Sequence, residues 1–87
     1  MEIKLLKKEG NLYEIEFKDE DIGVLNLIKE ILVNREDVEF AASLREHPMV
    51  SQPKLIFRTD KDAKKILHAA IKEAMAQLDK LETALSK

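Results

Sequence analysis

The stretch DAKKILHAAIKEAMAQLDKLETALS, from Asp62 to Ser86, decides how this chain is read. Apolar residues recur at Leu67, Ile71, Ala74, Leu78, Leu81 and Leu85. That seam repeats about every 3.5 residues, which is a helix signal. A helix of about 25 residues runs about 37 Å, whereas a typical strand spans about 20 Å. Part of the seam, Leu81 and Leu85 included, therefore extends past any sheet this chain can build. Leaving such leucines in water forfeits about 1.5 to 3 kcal/mol of burial each, so a second polypeptide is expected to cover them.

The seam's flanks say what kind of cover. With Ile71, Leu78 and Leu85 as a positions and Leu67, Ala74 and Leu81 as d positions, the e and g sites hold His68, Ala70, Met75, Gln77, Glu82 and Ala84. A two-stranded coil flanked by solvent carries charge at those sites. Small and apolar flanks point instead to a multi-helix arrangement, or to a helix held between its own sheet and a partner.

Upstream, residues 2 to 8 alternate with Ile3 and Leu5 on one face, and Glu9-Gly10-Asn11 supplies turn residues. Residues 12 to 17 alternate cleanly, Tyr13, Ile15 and Phe17 against Glu14 and Glu16, as in a strand with one covered face. The acidic run Asp19-Glu20-Asp21 caps a helix over Ile22 to Val33. Its apolar residues Val24, Leu25, Leu27, Ile28, Ile31 and Leu32 cover an arc of about 160°, wider than the stripe needed for one surface. This helix should touch a sheet on one flank and a helix on the other.

Val38, Phe40, Ala42 and Leu44 follow at period 2 and predict a third strand facing inward through those residues. His47-Pro48 and Ser51-Gln52-Pro53 punctuate a loop, and Leu55 to Thr59 reads as a fourth strand. Thr59-Asp60-Lys61-Asp62 resembles a capping box with Thr59 as the cap of the long helix. The order ββαββα, with helices segregated onto one face of a four-stranded sheet and a long helix at the end, is an α+β two-layer domain. A single domain spanning residues 1–87 is expected.

The 87 residues are 45% apolar and 37% charged, enough for one modest core under a charged surface. A net charge of −2 disfavours gripping phosphates, so no direct nucleic-acid contact is expected. There is no Cys, which removes disulfides, thiolate metal sites and Cys nucleophiles. No apolar run is long enough for a signal peptide or a membrane span, and a cytoplasmic location fits.

Catalytic chemistry is not expected. His68 has no second ligand four residues away, and His47 stands in a loop without a Cys, Ser or acid constellation. Gly10 and Gly23 cannot build a phosphate loop, and Ser43, Ser51 and Ser86 lack a nucleophile's context. No cofactor or metal is expected either.

These features meet a family. Met1-Glu2-Ile3-Lys4, Asn26-Leu27-Ile28, Val38-Glu39-Phe40-Ala41-Ala42, His47-Pro48 and Phe57-Arg58-Thr59 resemble the family of archaeal RNA polymerase subunit L. That family is related to the small assembly subunit of eukaryotic nuclear polymerases and to the N-terminal domain of the bacterial α subunit. The chain departs from it at Asp21 to Leu25, where a His-Thr-Leu-like segment is usual, and at Ala42-Ser43, where a Gly-Tyr-like pair is usual.

The resemblance implies a non-catalytic subunit of a nucleotidyltransferase complex. It would form a heterodimer with the polymerase's D subunit, and the large catalytic and other small subunits would assemble on that pair. It further implies that Leu25, Ile28 and Leu32 of the first helix, with Leu67, Ile71, Ala74, Leu78, Leu81 and Leu85 of the second, form the partner interface. Asn26, His47 and Pro48 match family motif positions with structural or contact roles. From the residues alone, a homodimeric interaction module unrelated to transcription explains the same seam.

Overall fold

The computed structural model describes residues 2–45 and 52–86. His47 and Pro48 lie outside the described residues. The elements run β1 (Glu2–Glu9), β2 (Leu12–Lys18), α1 (Ile22–Val33), β3 (Phe40–Leu44), β4 (Lys54–Arg58) and α2 (Ala63–Leu85). All four strands join one antiparallel sheet in the order β1-β2-β4-β3, so the α+β two-layer reading holds.

The register defines the two sheet faces, because directly paired residues share a face. Ile3 pairs with Phe17, Leu5 with Ile15, Ile15 with Leu55, Tyr13 and Ala41 with Phe57, and Ser43 with Leu55. That face carries the core: Ile15, Phe17, Leu55 and Phe57 are buried beneath Leu25, Ile28 and Leu32 of α1 and Ile66, Leu67, Ala70 and Ala74 of α2. The turn between β1 and β2 passes through Gly10 at φ +59°, a left-handed conformation that glycine adopts without a Cβ penalty.

Each helix starts at an acidic cap. The Asp21 carboxylate accepts from the Gly23 N–H at 2.6 Å, and the Asp62 carboxylate accepts from the Lys65 N–H at 3.2 Å. The cap of α2 is thus Asp62 and not Thr59. Thr59 is buried, its hydroxyl donating to the Asp37 carbonyl at 2.5 Å and accepting from the Lys61 N–H at 3.1 Å. It ties the loop before β3 to the entry of α2 and leaves the capping to the next candidate.

The third strand also differs from expectation. Val38 is buried, but in the turn ahead of β3, where its N–H donates to the Arg35 carbonyl. The strand then begins with Phe40 pointing outward, half exposed, and its core-facing residues are Ala41 and Ser43. Phe40, Ala42 and Leu44 do alternate, but on the outer face, and the buried Val38 joins their period only in sequence. The turn itself is held by Arg35, whose guanidinium donates two parallel hydrogen bonds to Asp37 at 2.9 and 3.0 Å.

Candidate partner interface

α1 performs the double duty its wide apolar arc implied. It packs on β3 and β4 and, along another flank, against α2. Leu25, Ile28 and Leu32 sit between these layers with no exposed surface at all, while Val24, Leu27 and Ile31 pack around them half buried. The three fully buried residues therefore serve the chain's own core. They have no area left to give a partner.

Asn26 lies on an exposed flank of α1, where its side-chain oxygen accepts a hydrogen bond from the Ser43 hydroxyl on β3. Asn26 thus links helix to strand. Ser43 supplies the donor.

The seam of α2 divides. Leu67 and Ala74 are buried and Ile71 is packed partly against the core, together with Ile66 and Ala70 from the seam's flank. Leu78 is half buried, Leu81 is 56% exposed and Leu85 is 76% exposed. The 23 residues of α2 span about 35 Å and the 12 of α1 about 18 Å. The length mismatch is real, and its immediate origin is the shortness of α1, the element on which α2 rests.

A second apolar surface opens at the other end of α2. Because α1 covers β3 and β4, the core-side face of β1 is left without a helix above it. Ile3 and Leu5 remain 45% and 56% exposed although their partners Phe17 and Ile15 are buried. With Tyr13, Phe57 and Leu67 they line an open groove of ≈ 340 Å³. Tyr13 and Phe57 stack in it at 5.5 Å, and Lys8 sits over the Tyr13 ring at its rim. Periodicity placed Ile3 and Leu5 on the correct face, but which strands a helix covers is a tertiary fact without a local signal.

The titratable groups add one perturbed pair. The hydrogen bonds from Arg35 hold the Asp37 carboxyl below its ordinary range and raise the guanidinium in turn. The pair lies in the turn before β3 and stabilises that turn. Among the described residues no three His, Cys, Asp or Glu side chains gather as a metal site would require, and no helix is long and apolar enough to cross a membrane.

A two-layer domain with bare leucines at one end of its long helix and an apolar groove at the other presents the kind of surface that protein–protein association domains use. The comparisons with known proteins agree. Residues 13–84 match the family described as the RNA polymerase Rpb3/Rpb11 dimerisation domain. The chain is 33% identical to DNA-directed RNA polymerase subunit Rpo11 of Methanocaldococcus jannaschii over 93% of its length and 92% of that protein's. It is 34% identical to subunit Rpo11 of Methanosarcina acetivorans, covering all of this chain and 96% of the relative. The crystal structure of DNA-directed RNA polymerase subunit L from Thermoplasma acidophilum superposes with a TM-score of 0.65 at 25% identity, covering 98% of this chain and 81% of that one. This chain belongs to the RNA polymerase Rpb3/Rpb11 dimerisation domain family.

Proposed function

We propose that this chain is a non-catalytic assembly subunit of a cytoplasmic DNA-directed RNA polymerase, which pairs with the polymerase's D subunit to form the platform on which the large catalytic subunits assemble. The observation that carries this reading is the exposure of Leu81 and Leu85 on a helix that continues a buried stripe. The family match supplies the kind of partner.

In the proposed pair each long helix runs past its own short helix and lays its leucine end along the other polypeptide. The groove of Ile3, Leu5 and Tyr13 lies beside the start of α2, and the bare leucines lie at its end. A two-fold or pseudo-two-fold arrangement brings the end of one helix to the start of the other, so each partner fills the other's apolar surface. Ile71, Leu78, Leu81 and Leu85 are the interface residues on α2. Leu67 contributes through the groove, whereas Ala74, fully buried, serves the close approach of α2 to its own chain's α1. Leu25, Ile28 and Leu32 act indirectly, by fixing where α2 lies.

Native mass measurement after co-expression tests this. A soluble one-to-one complex with the D subunit is expected, and the chain alone should self-associate through its bare leucines. A monodisperse monomer that ignores the D subunit would refute the proposal. A homodimer that does not exchange with it would replace the proposal with a module unrelated to transcription.

A further inference from the structure

We infer that the free edge of β3 is a second docking site, which takes an extended segment of a third polymerase chain as a fifth strand of the sheet. The inference rests on the proposed function for the class of occupant, and on the chemistry of the edge for the way it binds.

Among the described residues, the order β1-β2-β4-β3 leaves two edges, and they differ in kind. β1 carries Glu2, Lys4, Lys7, Lys8 and Glu9 within eight residues, and its register slips between Leu5 and Lys7. Charged side chains and bulges are the devices by which an edge refuses another strand. β3 has neither. Its five residues, Phe40 to Leu44, include no charge, no proline and no glycine, and its register with β4 is unbroken. Alternate N–H and C=O groups of an edge strand point away from its one neighbour. The occupant that satisfies such a row is another extended backbone.

The side chains around the edge form a slot. Below it, on the outer face of the sheet, Phe40 is 51% exposed next to the half-buried Ala42 and Leu44. Above it runs the flank of α1 that the Asn26–Ser43 bond fixes over β3. Val33 lies seven residues beyond Asn26, hence on the same flank of the helix, and is 50% exposed. The helix rises about 10 Å over those seven residues, the length of about three residues of strand, which brings Val33 level with Phe40. Neither residue is needed in the core. A strand of about five residues would set its alternate side chains on Phe40 and Leu44 below and against Val33 above, so the segment it favours alternates apolar residues and lacks proline. β3 and β1 are opposite edges of the sheet, so this site and the groove beside β1 can be filled at once. The chain then bridges two partners.

Hydrogen exchange and reconstitution with purified subunits test the edge. Amides of β3 that point away from β4 should exchange fast in the one-to-one pair and about a hundredfold more slowly in assembled polymerase. The double variant Val33→Lys with Phe40→Lys changes only exposed positions. It should pair with the D subunit as the native chain does and recover large subunits at least about tenfold less well. Edge amides that stay fast in assembled polymerase, or native-level recovery by the double variant, overturn the inference and leave the proposed function standing. Loss of the one-to-one pairing in the double variant overturns it too, by assigning the edge to that interface. Protection of the same amides in the chain alone makes the occupant a second copy, which also overturns it. A native chain that enters no polymerase overturns the proposed function, and the occupant named here with it.

Discussion

Replacing Leu81 and Leu85 together by Gln separates the two roles of α2 most cleanly. Gln has nearly the helix propensity of Leu, and both positions are mostly exposed, so at dilutions where the chain is monomeric its own stability should change by no more than about 0.5 kcal/mol. Pairing should suffer far more. Full burial of a leucine is worth about 1.5 to 3 kcal/mol. With 56% of Leu81 and 76% of Leu85 still in water, a partner that covered them would gain about 2 to 4 kcal/mol in total. Losing that amounts to about a 30- to 700-fold rise in Kd. Titration calorimetry with the D subunit reads the affinity, and a thermal melt followed by circular dichroism reads the fold. An affinity within about threefold of the native value, with the melt unchanged, would place the interface elsewhere on the chain. A melt that collapsed would mean that the exposed end of α2 supports its own domain, contrary to its packing.

The remaining predictions concern what holds the domain in shape. Ile28→Ala removes a side chain with no exposed surface from between sheet and α2, and should lower the unfolding free energy in urea by about 2 to 5 kcal/mol. Ala74→Leu adds bulk to a fully buried position on α2 and should cost about 1 to 3 kcal/mol through overpacking, measurable in the same titration. The Asp37 carboxyl is held below its ordinary range by Arg35. Its contribution is fully present above the unfolded pKa of about 3.9 and fades as pH falls through the lower folded value. Asp37→Asn should therefore flatten the acid limb of a stability–pH curve and leave its slope above about pH 5 unchanged.

Much of the fold was legible because its signals are local. The bounds of α1 follow from the cap at Asp21 and the change of pattern after Val33, and the structure returns Ile22–Val33. What could not be read from the sequence depends on distant neighbours. Val38 looks like the first residue of a strand. It is buried in a turn instead, because Thr59, 22 residues away from Asp37, bonds the Asp37 carbonyl. The same long-range bond takes Thr59 out of competition for the helix cap. Leu25, Ile28 and Leu32 have the spacing of an interface stripe and of a core stripe alike, and only the presence of α2 on that side of α1 decides for the core. The groove beside β1 has a related cause: a helix that covers β3 and β4 cannot also cover β1.

The composition of α2 carries the division between own fold and partner once the structure shows where α1 ends. Seven residues advance a helix by about −20°, so Leu81 points nearly where the buried Ala74 points. Along one stripe the helix places Ala70 and Ala74 where it meets α1 and Leu78, Leu81 and Leu85 where it has outrun it. Small residues let two backbones approach closely, whereas large ones need a pocket to fill. A stripe kept apolar only for the domain's own core would turn polar within a turn of the end of α1. This one instead gains bulk over its last two turns, which is the shape the proposed pairing asks of the unsupported part of α2. In the proposed pair, the groove formed by Ile3, Leu5 and Tyr13 is the surface this chain offers in return. Filling that groove with the chain's own bulk, as in Leu5→Trp, should therefore weaken the pairing with the D subunit as Leu81 and Leu85 replacement does. The isolated domain's stability should stay within about 0.5 kcal/mol of native, because Leu5 is mostly exposed. Equal affinity of the Leu5→Trp chain for the same partner would show that the two apolar surfaces do not belong to one interface.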